Sequence, residues 1–161
     1  MIISPPPVVA PAAQTLPPLS FLGFRAGMPV REAGSLIRAA RGMLVCKATT
    51  DSRMRDCTGQ LPQADVAAPF EVLISSVQDS SAVIVFSLRG GAGASRWVAE
   101  LTRRFGRPNL KQQGSQTSWQ WIRERKMLRV VERRGAGGRE ASVTLTHGPL
   151  LDGLGTPPSQ Q

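Results

Sequence analysis

Residues 70–88 read Phe-Glu-Val-Leu-Ile-Ser-Ser-Val-Gln-Asp-Ser-Ser-Ala-Val-Ile-Val-Phe-Ser-Leu. This stretch contains two runs rich in β-branched residues, 70–77 and 81–88, separated by the polar residues 78–80. β-Branched and aromatic side chains fit a pleated, half-buried surface, whereas Asp and Ser favour turns. The stretch therefore predicts two antiparallel strands joined by a short turn.

A second pair of strands is predicted upstream, over residues 43–48 and 55–61. If a two-residue turn at 51–52 joins them, Cys46 lies directly opposite Cys57, where a disulfide is sterically possible. These are the only two cysteines, and an even count in a small chain favours an oxidising compartment. The other interpretation is a pair of buried thiols in a cytoplasmic core, since free cysteine packs as a small hydrophobic residue.

Apolar residues recur at helical spacing over residues 27–42, before the first strands, and over 93–106, after residue 88. Each of these segments is therefore predicted to be a helix. Each ends at a glycine, Gly42 or Gly106, and glycine is the residue most often found just past a helix end. The two glycines are 64 positions apart. The same offset suggests that the chain contains one structural unit twice.

The offset places further strands over residues 126–133 and 139–147, and it sets Leu110 opposite Trp121. The predicted fold class is α+β, with two tandem α-β-β-β-β units, antiparallel sheets and helices packed on one face. The predicted units span residues 23–89 and 90–154. The other interpretation is one α+β domain whose halves resemble each other by accident.

The two ends of the chain have the composition of unstructured segments. Six of the 13 prolines lie within residues 1–18, and no charged residue precedes Arg25. This predicts a Pro-rich disordered leader over residues 1–22 and a polar tail over 155–161. The leader lacks the basic start and continuous apolar run of a secretory signal, so the chain is either a mature exported protein or a cytoplasmic one.

The net charge of +9 is concentrated in the second predicted unit. Residues 96–140 contain 12 basic and 4 acidic residues. This surface contacts an acidic protein or an anionic envelope component, or it binds nucleic acid with bases stacked on tryptophan, or it is only a solvated face in an arginine-rich proteome. The candidate partner-binding residues are Trp119, Arg123, Arg125 and Arg129.

No catalytic, metal or cofactor motif is found. His147 is the only histidine, and no Gly-x-Ser-x-Gly turn accompanies it. The Gly-rich stretch 88–95 lacks the third small residue and the acidic residue of a dinucleotide-binding loop. Two cysteines and one histidine are too few for a zinc cluster without several carboxylates, and no apolar run is long enough to span a membrane. The sequence predicts no enzyme, no metal and no cofactor.

Two short motifs resemble a known family. Residues 24–33, Phe-Arg-Ala-Gly-Met-Pro-Val-Arg-Glu-Ala, resemble the Gly-Met-(Ser/Thr)-x-x-Glu-Val helix start of the SmpA/OmlA outer-membrane lipoprotein family. Residues 105–108, Phe-Gly-Arg-Pro, and 119–121, Trp-Gln-Trp, resemble its Leu-Gly-x-Pro and Trp-x-Tyr motifs. The tandem arrangement is similar to that of β-lactamase inhibitor proteins. The resemblance implies a small exported module that scaffolds envelope assembly or binds another protein through an exposed sheet and loops.

These observations together predict a non-enzymatic exported binding module, periplasmic or secreted. Its basic second unit is expected to contact an acidic protein or an anionic surface. The second hypothesis is a cytoplasmic nucleic-acid-binding protein that uses the same Arg and Trp side chains.

Overall fold

The computed structural model describes residues 2–7, 17–63, 68–89, 94–135 and 137–155. The fold is α+β, as predicted. Eight antiparallel strands form one sheet, and two short strands form a separate hairpin. No described helix is both long and apolar enough to cross a membrane.

The elements follow the predicted order. The chain begins with the short strands β1 (Ser20–Phe21) and β2 (Phe24–Arg25). Helix α1 (Val30–Ala39) is followed by β3 (Met43–Ala48), β4 (Met54–Leu61), β5 (Phe70–Val77) and β6 (Ser80–Arg89). Helix α2 (Ser95–Phe105) is followed by β7 (Asn109–Gln113), β8 (Gln116–Arg123), β9 (Lys126–Gly135) and β10 (Gly138–His147). A one-turn helix, α3 (Gly148–Asp152), and a 3₁₀ turn (Gly153–Gly155) complete the described chain.

The eight long strands lie in the order β3-β4-β5-β6-β10-β9-β8-β7. The two predicted sets of four strands are therefore not separate sheets, because β6 and β10 pair antiparallel at the centre, with Phe86 opposite Val143. The interpretation of the two halves as a sequence repeat, with units 23–89 and 90–154, stays a prediction.

The sheet has two unlike faces, because successive side chains on a strand point to opposite sides. The core face carries buried residues such as Ile74, Phe86 and Val143. Ile37 of α1 and Leu101 of α2 belong to the same buried cluster, so both helices pack on this face. We call the opposite side the open face; neither α1 nor α2 lies on it.

An aromatic cluster connects the two halves of the chain. Trp97 of α2 packs against Phe70 and Phe21, with ring centroids 5.3 and 5.9 Å apart. Phe86 packs edge-on against Phe21 and Phe24 at 5.2 and 5.0 Å. The core thus crosses the predicted boundary between residues 89 and 90.

The end of the predicted disordered leader is wrong. Ser20–Phe21 forms β1, and the side chains of Leu19 and Phe21 are only 5% exposed. Both are apolar residues whose burial against the aromatic cluster stabilises the ordered form. The positive φ angles of Leu22 and Gly23 (52° and 85°) form the tight turn between β1 and β2. Residues 1 and 8–16 of the leader and 156–161 of the tail lie outside the described residues.

The predicted register is confirmed in one hairpin and wrong in another. Cys46 lies opposite Cys57, as predicted. The strands are connected by residues 49–53 and not by a two-residue turn, because Asp51 accepts hydrogen bonds from the backbone and side chain of Arg53.

In the second hairpin, Leu110 lies opposite Trp119, not Trp121. The turn between β7 and β8 falls at Gly114-Ser115, where Gly114 adopts a φ of 58°. This is one residue earlier in the chain than the turn that would pair Leu110 with Trp121.

The two predicted capping glycines have different roles. Gly106 ends α2 with a φ of 89°, as a C-terminal glycine does. Helix α1 ends earlier, and Arg41 adopts the left-handed conformation there with a φ of 66°. Gly42 is needed because a Cβ at this position would overlap the carbonyl oxygen of Gln60.

Candidate functional site

The two cysteines form a disulfide between Cys46 and Cys57. The bond joins β3, at one edge of the sheet, to β4. Cys57 is fully buried and Cys46 is half-buried against the core. The edge strand is therefore held covalently as well as by its backbone hydrogen bonds.

The two tryptophans of β8 lie on the core face, opposite Leu128 and Val130. Trp121 is only 4% exposed, and its indole N–H donates to the carbonyl oxygen of Gly106 at 2.8 Å. Trp119, a predicted contact residue, is half-buried against the core. The side of the sheet on which each ring lies follows from the register of β8, which the sequence did not specify.

The predicted contact residue Arg123 binds within its own chain. Its guanidinium donates to the carbonyl oxygens of Phe105 and Pro17, at 2.6 and 3.0 Å. It also lies over the ring of Phe105, 5.3 Å from the centroid. Arg123 thus fastens the end of α2 and the segment before β1 to the sheet.

The other two predicted contact residues lie apart from these. Arg125 lies in the turn between β8 and β9, with a φ of 63°, and it forms an ion pair with Asp152. Arg129 lies in β9, directly between Thr144 and Gln120 on the open face. The structure therefore does not bring Trp119, Arg123, Arg125 and Arg129 together on one surface.

The basic residues of the second half are spread over both sides of the sheet. Helix α2 and the residues next to it carry four of them: Arg96, Arg103, Arg104 and Arg107. The open face carries cations and carboxylates from both halves of the chain: Lys47, Arg89, Lys111, Arg129 and Arg133 with Asp56, Glu71 and Glu140. The open face is thus only weakly basic.

The open face exposes large apolar side chains. Met43 is 74% exposed, Val45 54%, Leu73 42% and Ile122 57%. Half-buried apolar residues lie between them on the central strands: Val83, Val85, Met127 and Val131. Sequence analysis missed this surface. The signal was present as continuous apolar runs on the strands, because a strand with one solvated polar face would alternate.

Three adjoining concavities form a depression on the open face. One of about 530 Å³ is lined by residues that include Gln60, Leu73 and Val85. It shares Thr58 and Gln60 with one of about 450 Å³ next to Met43. It shares Glu71 and Ser87 with a third of about 240 Å³, which extends to Val131 and Arg133 of β9. The depression therefore runs from the β3 edge past the centre of the sheet.

His147, the only histidine, and Asp152 both make structural contacts. Nδ1 of His147 accepts a hydrogen bond from the backbone N–H of Leu150 and caps α3. Burial lowers the pKa of His147 below its ordinary value, and the charges of Lys126 and Arg125 lower it further. Asp152 is paired with Arg125. Among the described residues, no group of three or more His, Cys, Asp or Glu side chains is arranged to hold a metal ion.

The strongest candidate site is thus the open face, with its exposed apolar side chains, its depression and Arg129. No protein-family model, no curated protein and no solved structure matches the chain. The resemblance to the SmpA/OmlA family and to β-lactamase inhibitor proteins therefore stays a prediction.

Proposed function

We propose that the chain is a non-enzymatic exported binding module that holds another protein on the open face of its sheet. The observation that carries the proposal is the set of large apolar side chains exposed there, led by Met43, Val45, Leu73 and Ile122. Apolar patches rimmed by polar residues mark protein interaction sites on soluble proteins. The depression on the same face offers a concave surface to a convex partner.

The rim of the face has the polar character of a protein interface. Arg89 and Glu140 pair at 3.8 Å, and the side chain of Arg133 donates to Gln116 at 2.8 Å. A polar rim around a less charged centre is typical of protein–protein contacts. A nucleic-acid interface needs many cations on one side, whereas the cations here are divided between the two faces. Trp119, the ring expected to stack on a base, is half-buried against the core.

The disulfide supports export, because such bonds persist in oxidising compartments. Alkylation of free thiols in a lysate of the native cell, followed by the mass of the intact protein, tests this part. We expect no added groups. Two alkyl groups would place the chain in a reducing compartment and contradict the exported part of the proposal.

Site-specific photo-crosslinking in the native cell tests the binding face. A benzophenone amino acid is introduced at Leu73 or Ile122, and at the exposed Ser35 of α1 as the control. We expect one protein to be joined to the chain from both open-face positions and not from Ser35. Leu73→Asp should remove the adduct formed from position 122, since a carboxylate in the apolar patch costs desolvation energy on binding. Equal labelling from Ser35, or no protein adduct from the open face, would contradict the proposal.

A further inference from the structure

Arg129 is a cation for which the described residues supply no partner. Its Nε is buried, yet no acceptor in the described part of the chain bonds to it. Guanidinium groups carry five donors in a fixed fork, and a buried donor without a partner carries an energetic cost that native structures rarely retain without a reason. Nε itself is shielded from solvent, so an acceptor from outside the chain can meet only the part of this half-buried side chain that stays exposed.

The surroundings of Arg129 on the open face contain no opposite charge. Eight side chains adjoin it there, and all are uncharged: Met127 and Val131 along β9, Ser118, Gln120 and Ile122 on β8, and Ser142, Thr144 and Thr146 on β10. Glu140 is the open-face carboxylate of β10, and it pairs with Arg89 at 3.8 Å and not with Arg129. The charge of Arg129 is thus available in a mixed apolar and neutral environment.

We infer that Arg129 receives a carboxylate of the partner protein, an Asp or Glu side chain flanked by apolar residues. The inference rests on the proposed function and names the chemistry of its partner. Val131, the next open-face residue of β9, lines the end of the depression. A partner segment that follows the depression from Leu73 therefore reaches Arg129 across the central strands.

Charge complementarity favours a protein carboxylate over a polyanion. Arg129 is one cation among uncharged neighbours, and a nucleic acid or an anionic membrane is held by several cations acting together. An arginine enclosed by apolar and neutral side chains is typical of the energetic centre of protein interfaces, where the neighbours exclude water. The guanidinium fork matches the two oxygens of one carboxylate.

The test selects binders from a library of random linear peptides displayed on phage, with the full chain as bait. We expect the selected peptides to contain Asp or Glu next to apolar residues. Arg129→Gln should weaken the binding of a selected peptide about tenfold or more, since an ion-paired guanidinium is lost. Replacing the peptide's acidic residue by its amide should weaken binding equally, with no further loss when both changes are combined.

Two matched variants complete the design. Arg103→Gln removes an exposed arginine of α2, whose partner Glu100 lies 3.7 Å away, and should leave the affinity unchanged. Arg129→Lys keeps the charge but loses the fork, and should bind with intermediate affinity. Circular dichroism establishes that each variant is folded.

The outcomes separate this inference from the proposed function. If Leu73→Asp abolishes peptide binding while Arg129→Gln binds as the parent does, the open face binds protein but Arg129 does not receive a carboxylate. Selected peptides without acidic residues would overturn the inference in the same way. Peptides unaffected by either change, or a selection that enriches nothing, would count against both.

Discussion

We expect His147 to make the stability of the protein depend on pH. Its folded-state pKa lies below its ordinary value, so the unfolded chain binds a proton more readily than the folded chain does. The stabilisation by neutral His147 is therefore complete above the unfolded pKa of about 6.5, and it is lost as the pH falls through the folded value. Protonation also removes Nδ1 as the acceptor for the N–H of Leu150.

Urea denaturation at pH 7.5 and pH 5.5 measures this effect, with His147→Asn as the comparison. Asparagine caps a helix without titrating in this range. We expect the free energy of unfolding to fall at the lower pH in the parent and to fall less in the variant. An identical pH dependence in the two proteins would show that another group is responsible.

Arg123 of β8 is expected to stabilise the position of α2. Arg103, which lies on α2 itself, is expected to contribute little. Arg123→Gln removes the hydrogen bonds to Phe105 and Pro17, and we expect a loss of about 1–2 kcal/mol in the free energy of unfolding. Arg103→Gln removes only an exposed pair with Glu100 and should change stability by less than about 0.5 kcal/mol. Urea denaturation of both variants checks the difference, and equal effects would refute the role of Arg123.

At the scale of elements, the disulfide secures the first hairpin. Replacing Cys46 and Cys57 together by alanine should lower the free energy of unfolding by about 2–3 kcal/mol, because the loop they close no longer restricts the unfolded chain. Urea denaturation of the parent with a reducing agent should give a similar loss. Unchanged stability on reduction would contradict the expectation.

The sequence predicted the strands better than it predicted their pairing. The β-branched runs and the turn at residues 78–80 lead to β5 and β6, because local propensity and hydrophobic pattern agree there. The register of β7 against β8 was wrong because the polar residues around Gly114 permit more than one turn, and the positive φ of that glycine decided between them. The surroundings of Arg129 depend on that kind of pairing, so no local signal could identify the unpaired donor.

At the scale of the whole molecule, one sheet and one core should unfold together. The cluster of Phe21, Phe70, Phe86 and Trp97 joins α2 to strands of the first half, and β6 pairs with β10. We expect a single calorimetric transition whose van't Hoff and calorimetric enthalpies agree. Two resolved transitions would mean that the halves fold independently.

The joining of the two sets of strands had no counterpart in the sequence pattern. The composition of a buried strand such as β6 indicates that it is buried. It does not indicate whether the strand lies at the centre of a large sheet or at the covered edge of a small sheet. Residues 84 and 145 therefore revealed their burial but not that they lie opposite each other. Non-local pairing is selected by the whole core, which local periodicity does not describe.

Because β6 lies at the centre of the sheet, one of the two strands that pair with it is synthesised much later than β6 itself. One of its two neighbours, β10, begins 49 residues after β6 ends, at Gly138 against Arg89. At roughly 5–20 residues per second, a nascent chain spends several seconds with β6 made and its second neighbour still missing. During that interval the edge of an apolar strand is open to other nascent chains. We therefore expect a low local concentration of copies, or a chaperone that shields this edge, to favour correct pairing of β6 while the chain is being made.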